Sequence, residues 1–154
     1  MRLVLYQPDI PQNTGTMLRL AACLGIAVDL IEPAGFVLSD RRLRRAGLDY
    51  LDGVTLARHA SWTAYCAAAP IGRLVLLTTR GDARYTDFAF AASDRVMVGR
   101  ESGGVPDPVH GSADARLRIP MTADARSINV ACAAAMVLGE AMRQLEWRAT
   151  GPTP

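Results

Sequence analysis

A chain of 154 residues, 50 % hydrophobic and only 6 % aromatic, has enough apolar side chains for one core of small and branched residues and shows no sign of a second domain. A formal charge of +2 excludes a bulk field strong enough to announce a nucleic-acid binder, so any such contact must rest on local clusters. No run reaches the roughly 18 apolar residues of a membrane span, and the start enters a strand-like run without an apolar leader, so a soluble cytoplasmic protein is expected.

The elements alternate along the chain. Leu3-Val4-Leu5-Tyr6, closed by Gln7-Pro8, predicts a buried strand. A helix follows, with Asn13 as its N-cap, Met17, Leu18, Ala21, Ala22 and Leu24 at helical spacing, and Gly25 as its stop. Residues 27–31 predict a second strand. Ser39-Asp40 begins a short basic helix ending at Gly47, then come a strand over 54–57 and a helix over 61–69. Leu74 to Thr78 and Arg95 to Val98 are the clearest buried strands of the second half, each followed by a glycine-containing loop, and 117–119 is a further short strand. From Ile128 to Leu145 the pattern is a long helix, apolar nearly all round at first, suited to packing on the sheet or on a second subunit. This rhythm predicts an α/β fold, a parallel sheet covered by helices on both faces, as one domain over 1–150 with a fraying tail at 151–154.

Cys23, Cys66 and Cys132 are odd in number and far apart, which predicts reduced core residues. His59 and His110 have no partner at ligand spacing, so no metal is expected. The cations are arginines, whose flat fork suits phosphate, and Arg41, Arg42, Arg44 and Arg45 fall together. That run reads equally well as a solvated helix face or as an RNA contact.

Three segments carry candidate chemistry. In Pro11-Gln12-Asn13-Thr14-Gly15-Thr16-Met17-Leu18-Arg19, Asn13 and Arg19 lie nearly two helical turns apart and can both lean toward the C-terminal edge of the preceding strand, where ligand crevices of parallel sheets open. Alone, the segment is also explained by a cap and a surface ion pair. In Gly99-Arg100-Glu101-Ser102-Gly103-Gly104-Val105-Pro106, glycines allow close approach of the backbone to a ligand, but the spacing fits neither the phosphate-binding nor the dinucleotide-binding glycine motif. A plain tight loop is the alternative. In the third, Ile119-Pro120-Met121 leads through Ser127-Ile128-Asn129 to the start of the long helix, where free N–H groups and small polar side chains form a binding edge and Ser127 is a candidate cap.

Taken in order, the three segments resemble the three motifs of the SPOUT methyltransferases. L-Y-Q-P-D-I-P-Q-N-T-G, I-E-P-A-G-F and R-R-L-R-R-A-G-L-D-Y are similar to the small single-domain branch that 2'-O-methylates the tRNA wobble nucleotide, cytidine or uridine, and the likeness spans about residues 2–147. The resemblance implies a five- or six-stranded parallel sheet with a deep C-terminal trefoil knot, against the general rule that chains are unknotted. It implies S-adenosyl-L-methionine as cofactor, a tRNA anticodon stem-loop as substrate and a homodimer sharing its active site. Carried over residue by residue, the catalytic set is Asn13, Arg19, Glu101, Ser127 and Asn129. The cofactor contacts are Leu77, Thr78, Gly99, Glu101, Gly104, Ile119, Met121, Ser127 and Asn129. Arg100, where many relatives have proline, joins Arg41, Arg42, Arg44 and Arg45 as an RNA contact. Val130 and Ala131 stand where many relatives have leucine and serine, which removes one hydroxyl near the cofactor. Two other activities share these motifs: 2'-O-methylation of ribosomal RNA, and a non-catalytic RNA-binding dimer.

Overall fold

The computed structural model describes residues 1–37, 54–68 and 71–146. Seven strands form one wholly parallel sheet: β1 (Arg2–Tyr6), β2 (Ala27–Ile31), β3 (Leu56–His59), β4 (Leu74–Leu77), β5 (Ala83–Arg84), β6 (Arg95–Val98) and β7 (Ala115–Arg118). Their spatial order is β3-β2-β1-β6-β4-β7-β5. Among the described residues the α-helices are α1 (Pro11–Leu24), α2 (Trp62–Ala68), α3 (Asp107–Gly111) and α4 (Val130–Gln144). The five or six strands implied by family likeness become seven because a two-residue strand, β5, pairs with β7 at the edge.

Side chains alternate across each strand, and the two faces build two separate cores. Leu3, Leu5, Val28, Leu30, Val75, Val96, Val98 and Leu117 pack with Met17, Leu18 and Ala21 of α1 and with Ala134, Val137, Leu138 and Ala141 of α4. Val4, Tyr6, Ile31, Leu74, Leu76 and Met97 point the other way, onto Tyr65 of α2 and Val109 of α3. Helices therefore cover both faces, which is why the strands read as continuous apolar runs rather than alternating ones. Burial on the α4 face is achieved largely with alanine, which lets helix and sheet approach closely.

Several local expectations shift. Strand β3 lies at 56–59 instead of 54–57, β7 at 115–118 instead of 117–119, and α4 starts at Val130 instead of Ile128. Helix α1 starts at Pro11 with Ile10 as N-cap, so Asn13 sits inside the first turn and is not the cap. Its end is as predicted: Gly25 adopts a left-handed conformation at φ 64° and donates to Ala21 and Ala22. Ser61 caps α2, its Oγ accepting from Ala64 N at 3.1 Å. The cysteines are free but exposed, on the outward sides of their helices rather than in the core. The basic helix from Ser39 to Gly47, with Arg41, Arg42, Arg44 and Arg45, and the tail at 151–154 lie outside the described residues.

Beneath the sheet's first strands a buried charge is fully paired. Asp29 accepts from Arg2 Nε at Oδ2 and from Arg2 Nη2 at Oδ1, at 2.6 and 2.9 Å, and His59 Nε2 lies 2.9 Å from the same Oδ1. Burial alone would raise the Asp29 carboxyl, but these partners outweigh it and hold the group below the usual aspartate value.

Candidate active site

Because all strands are parallel, every loop that follows a strand emerges on the same rim of the sheet. The loops after β1, β6, β4 and β7 follow four strands that are neighbours in that order, so segments beginning near residues 7, 99, 78 and 119 meet. They enclose a cavity of about 380 Å³. Such a volume suits a small-molecule ligand.

The cavity gathers most of the residues expected from sequence. Asn13, Leu77, Thr78, Gly99, Arg100, Glu101, Gly104, Ile119, Met121, Ser127 and Asn129 all line it. Leu76, Val98, Ile10 and Ala133 extend its apolar wall; they were missed because strand ends and apolar helix positions carry no motif of their own. Arg19 is exposed and does not line the cavity; it lies six residues beyond Asn13 on α1, about 9 Å along the axis.

A chain of hydrogen bonds joins the three motif segments. Asn129 Nδ2 donates to Asn13 Oδ1 at 2.9 Å, and Asn13 Nδ2 donates to Glu101 Oε1 at 3.0 Å. Asn129 Oδ1 also accepts from the backbone N–H groups of Ala131 and Cys132, at 2.9 and 3.3 Å, so Asn129 rather than Ser127 caps α4. One amide thus starts the last helix and anchors the first. Asn13, expected to be a cap, instead bridges two loops distant in sequence.

The glycine loop is shaped by its own backbone. Gly104 N donates to Arg100 O at 2.9 Å, and Gly104 has φ of 64°. A Cβ at Gly99 would come within 2.9 Å of Gly104 C, so residue 99 must be glycine for the turn to close. Asp9, which falls within the family-like opening segment but was given no role from sequence, holds this loop from outside. Its carboxylate accepts from Glu101 N and Ser102 N at 3.0 and 3.2 Å, while its own N–H donates to Glu101 Oε2 at 3.1 Å. Hydrogen bonding with Glu101, then with Ser102, brings the Asp9 carboxyl down to about 2. Burial first, and the facing Asp9 second, push the Glu101 carboxyl above the usual glutamate value. Of the two acids, Asp9 is the fixed anion and Glu101 the one nearer to holding a proton.

Among the described residues, no group of three or more His, Cys, Asp or Glu side chains is disposed to hold a metal ion, and no helix is long and apolar enough to cross a membrane.

The three motif segments meet in this way within a chain that belongs to the SpoU rRNA Methylase family, which it matches over residues 1–139. It is 62 % identical over 145 residues, 93 % of this chain and 91 % of the other, to the tRNA (cytidine(34)-2'-O)-methyltransferase of Beijerinckia indica. Its fold superposes with a TM-score of 0.89, at 43 % identity, on a structure described as giving insight into the 2-OH methylation of C/U34 on tRNA, covering 96 % of this chain and 97 % of that one. A more distant neighbour, the SpoU methyltransferase AviRb from Streptomyces viridochromogenes in complex with the cofactor AdoMet, gives a TM-score of 0.82 at 27 % identity over 95 % of this chain and 60 % of that one.

Proposed function

We propose that this chain transfers a methyl group from S-adenosyl-L-methionine to the ribose 2'-hydroxyl of nucleotide 34, the wobble position, in tRNA. The observation that carries this reading is the Asn129–Asn13–Glu101 bridge at the rim cavity, which brings three remote segments together around one ligand-sized space. The substrate follows from likeness to relatives named for that reaction, 62 % identical in the first case.

The cavity suits the cofactor on its own chemistry. Leu76, Leu77, Val98, Ile119 and Met121 offer apolar walls for the adenosyl group, and the glycine loop brings bare backbone to the edge. When bound, the cofactor supplies an electrophilic methyl carbon on a sulfonium. The protein's work is then alignment, because an in-line displacement gains most of its acceleration from holding donor and acceptor in a row. Leu77, Thr78, Gly99, Gly104, Ile119 and Met121 would hold the cofactor, with Glu101, Ser127 and Asn129 as further contacts that set the loops around it. Arg19 binds the phosphate beside the target ribose and steadies charge developing on the 2'-oxygen; a guanidinium stays protonated, so it acts as a fixed cation and not as a base. Arg100 at the cavity rim, with Arg41, Arg42, Arg44 and Arg45, contacts the anticodon stem-loop backbone.

The same reading includes a C-terminal trefoil knot, a cytoplasmic homodimer sharing its sites, and one domain over residues 1–150. Incubation with labelled S-adenosyl-L-methionine and tRNA from cells lacking the activity, followed by digestion and mapping, should place label on the ribose of nucleotide 34. Label confined to another nucleotide, or absent, would refute the assignment.

A further inference from the structure

The glycine loop makes its inner bonds within itself, yet two of its N–H groups, at Glu101 and Ser102, turn outward onto one carboxylate, Asp9. Asp9 returns a backbone N–H to the Glu101 side chain, so the contact is reciprocal across 92 positions of sequence. Successive N–H groups of this kind make an anion-binding concavity, here filled from inside the protein. The anion is itself wedged. Gly35, which follows β2 and donates from its N–H to Pro8 O at 2.9 Å, lies so close that a Cβ there would sit 2.7 Å from Asp9 Cβ.

We infer that Asp9 is a positioning residue for the cofactor: through Glu101 and Ser102 it sets the glycine loop of the cavity from the loop that joins β1 to the substrate-side helix α1. The inference rests on the proposed use of S-adenosyl-L-methionine. Its chemistry is specific to a short carboxylate. Two oxygens take two N–H groups, whereas an asparagine has one acceptor oxygen and turns an NH₂ toward the remaining N–H. Asp9 touches neither reactant in this scheme, so its loss acts on cofactor affinity more than on the chemical step or on tRNA binding.

The test compares wild type with Asp9→Asn and Gly35→Ala. The second variant keeps the carboxylate and displaces it. Calorimetric titration with S-adenosyl-L-methionine should show Kd raised about tenfold or more in each, as expected for losing a hydrogen bond to a charged group. In steady state the KM for the cofactor should rise in parallel, while kcat at saturating cofactor and KM for tRNA stay within about threefold of wild type. Unchanged cofactor Kd in both folded variants, or equal losses in kcat and tRNA affinity, would overturn the role. A wild-type protein that binds no cofactor overturns this inference together with the proposed function, whereas normal wild-type binding with indifferent variants overturns this inference alone. Hydrogen exchange on the wild type needs no variant: the Glu101 and Ser102 amides should be strongly protected, and free exchange at both would also refute the contact.

Discussion

At Glu101 two roles compete, acceptor and acid. Its carboxyl takes the Asn13 amide and the Asp9 N–H, and burial makes ionisation costly. Removing it with Glu101→Ala leaves both donors without their acceptor, and should lower stability by about 1–3 kcal/mol in denaturant melts. Glu101→Gln keeps an acceptor oxygen and can offer its NH₂ to the Asp9 carboxylate, so it should fold. Its effect depends on pH. A carboxyl raised in the folded state contributes most below its ordinary value, and the contribution is lost as pH rises through the raised value. The glutamine does not titrate, so the stability of Glu101→Gln relative to wild type should increase as pH rises above the ordinary glutamate value of 4.5. Asp9 has the opposite sign: held at about 2, it contributes above its ordinary value of 3.8 and the contribution fades as pH falls toward 2. A stability difference that is flat or falls with pH over that upper range would contradict the placement of Glu101.

At the scale of the element, α4 and α1 start with coupled ends. Asn129 satisfies two of the orphan N–H groups of α4 and also holds Asn13. Asn129→Ala should cost about 2 kcal/mol, and lower Tm by roughly 4–8 °C. Asn129→Ser keeps a capping oxygen but is too short to reach Asn13. It should recover most of the Tm while methylation stays depressed by about tenfold or more; full recovery of both would reduce Asn129 to a cap. The strands around this site were readable beforehand because Leu3 to Tyr6, Leu74 to Leu77 and Arg95 to Val98 are buried on both faces and leave uninterrupted apolar runs. Helix stops such as Gly25 were readable for an equally local reason. The bonding of Asn13 was not: a polar residue near a helix start has the same local pattern whether it caps the helix or reaches Glu101, 88 positions away. Asp9 escaped notice for the same reason, and β5 is too short to carry any period.

For the whole molecule, strand order makes the site. Inserting β6 and β4 between β1 and β7 brings the loops of all four onto one rim, a consequence of long-range pairing that no local pattern encodes. The family motifs supplied that information instead, since their residues converge only if the sheet is ordered this way. The outer face of α4 bears on assembly. Met136 is 40 % exposed there beside exposed Cys132 and Ala135, an apolar face consistent with the proposed homodimer. Light scattering at micromolar concentration should return twice the chain mass of 16.5 kDa, and a monomer mass would contradict shared sites. The most direct test of the central claim is a crystal structure of the protein grown with S-adenosylhomocysteine. Density for the ligand should lie in the rim cavity against Gly99, Ile119 and Asn129, with the Asn13 bridge intact; a ligand bound elsewhere, or loops that separate around it, would contradict the account.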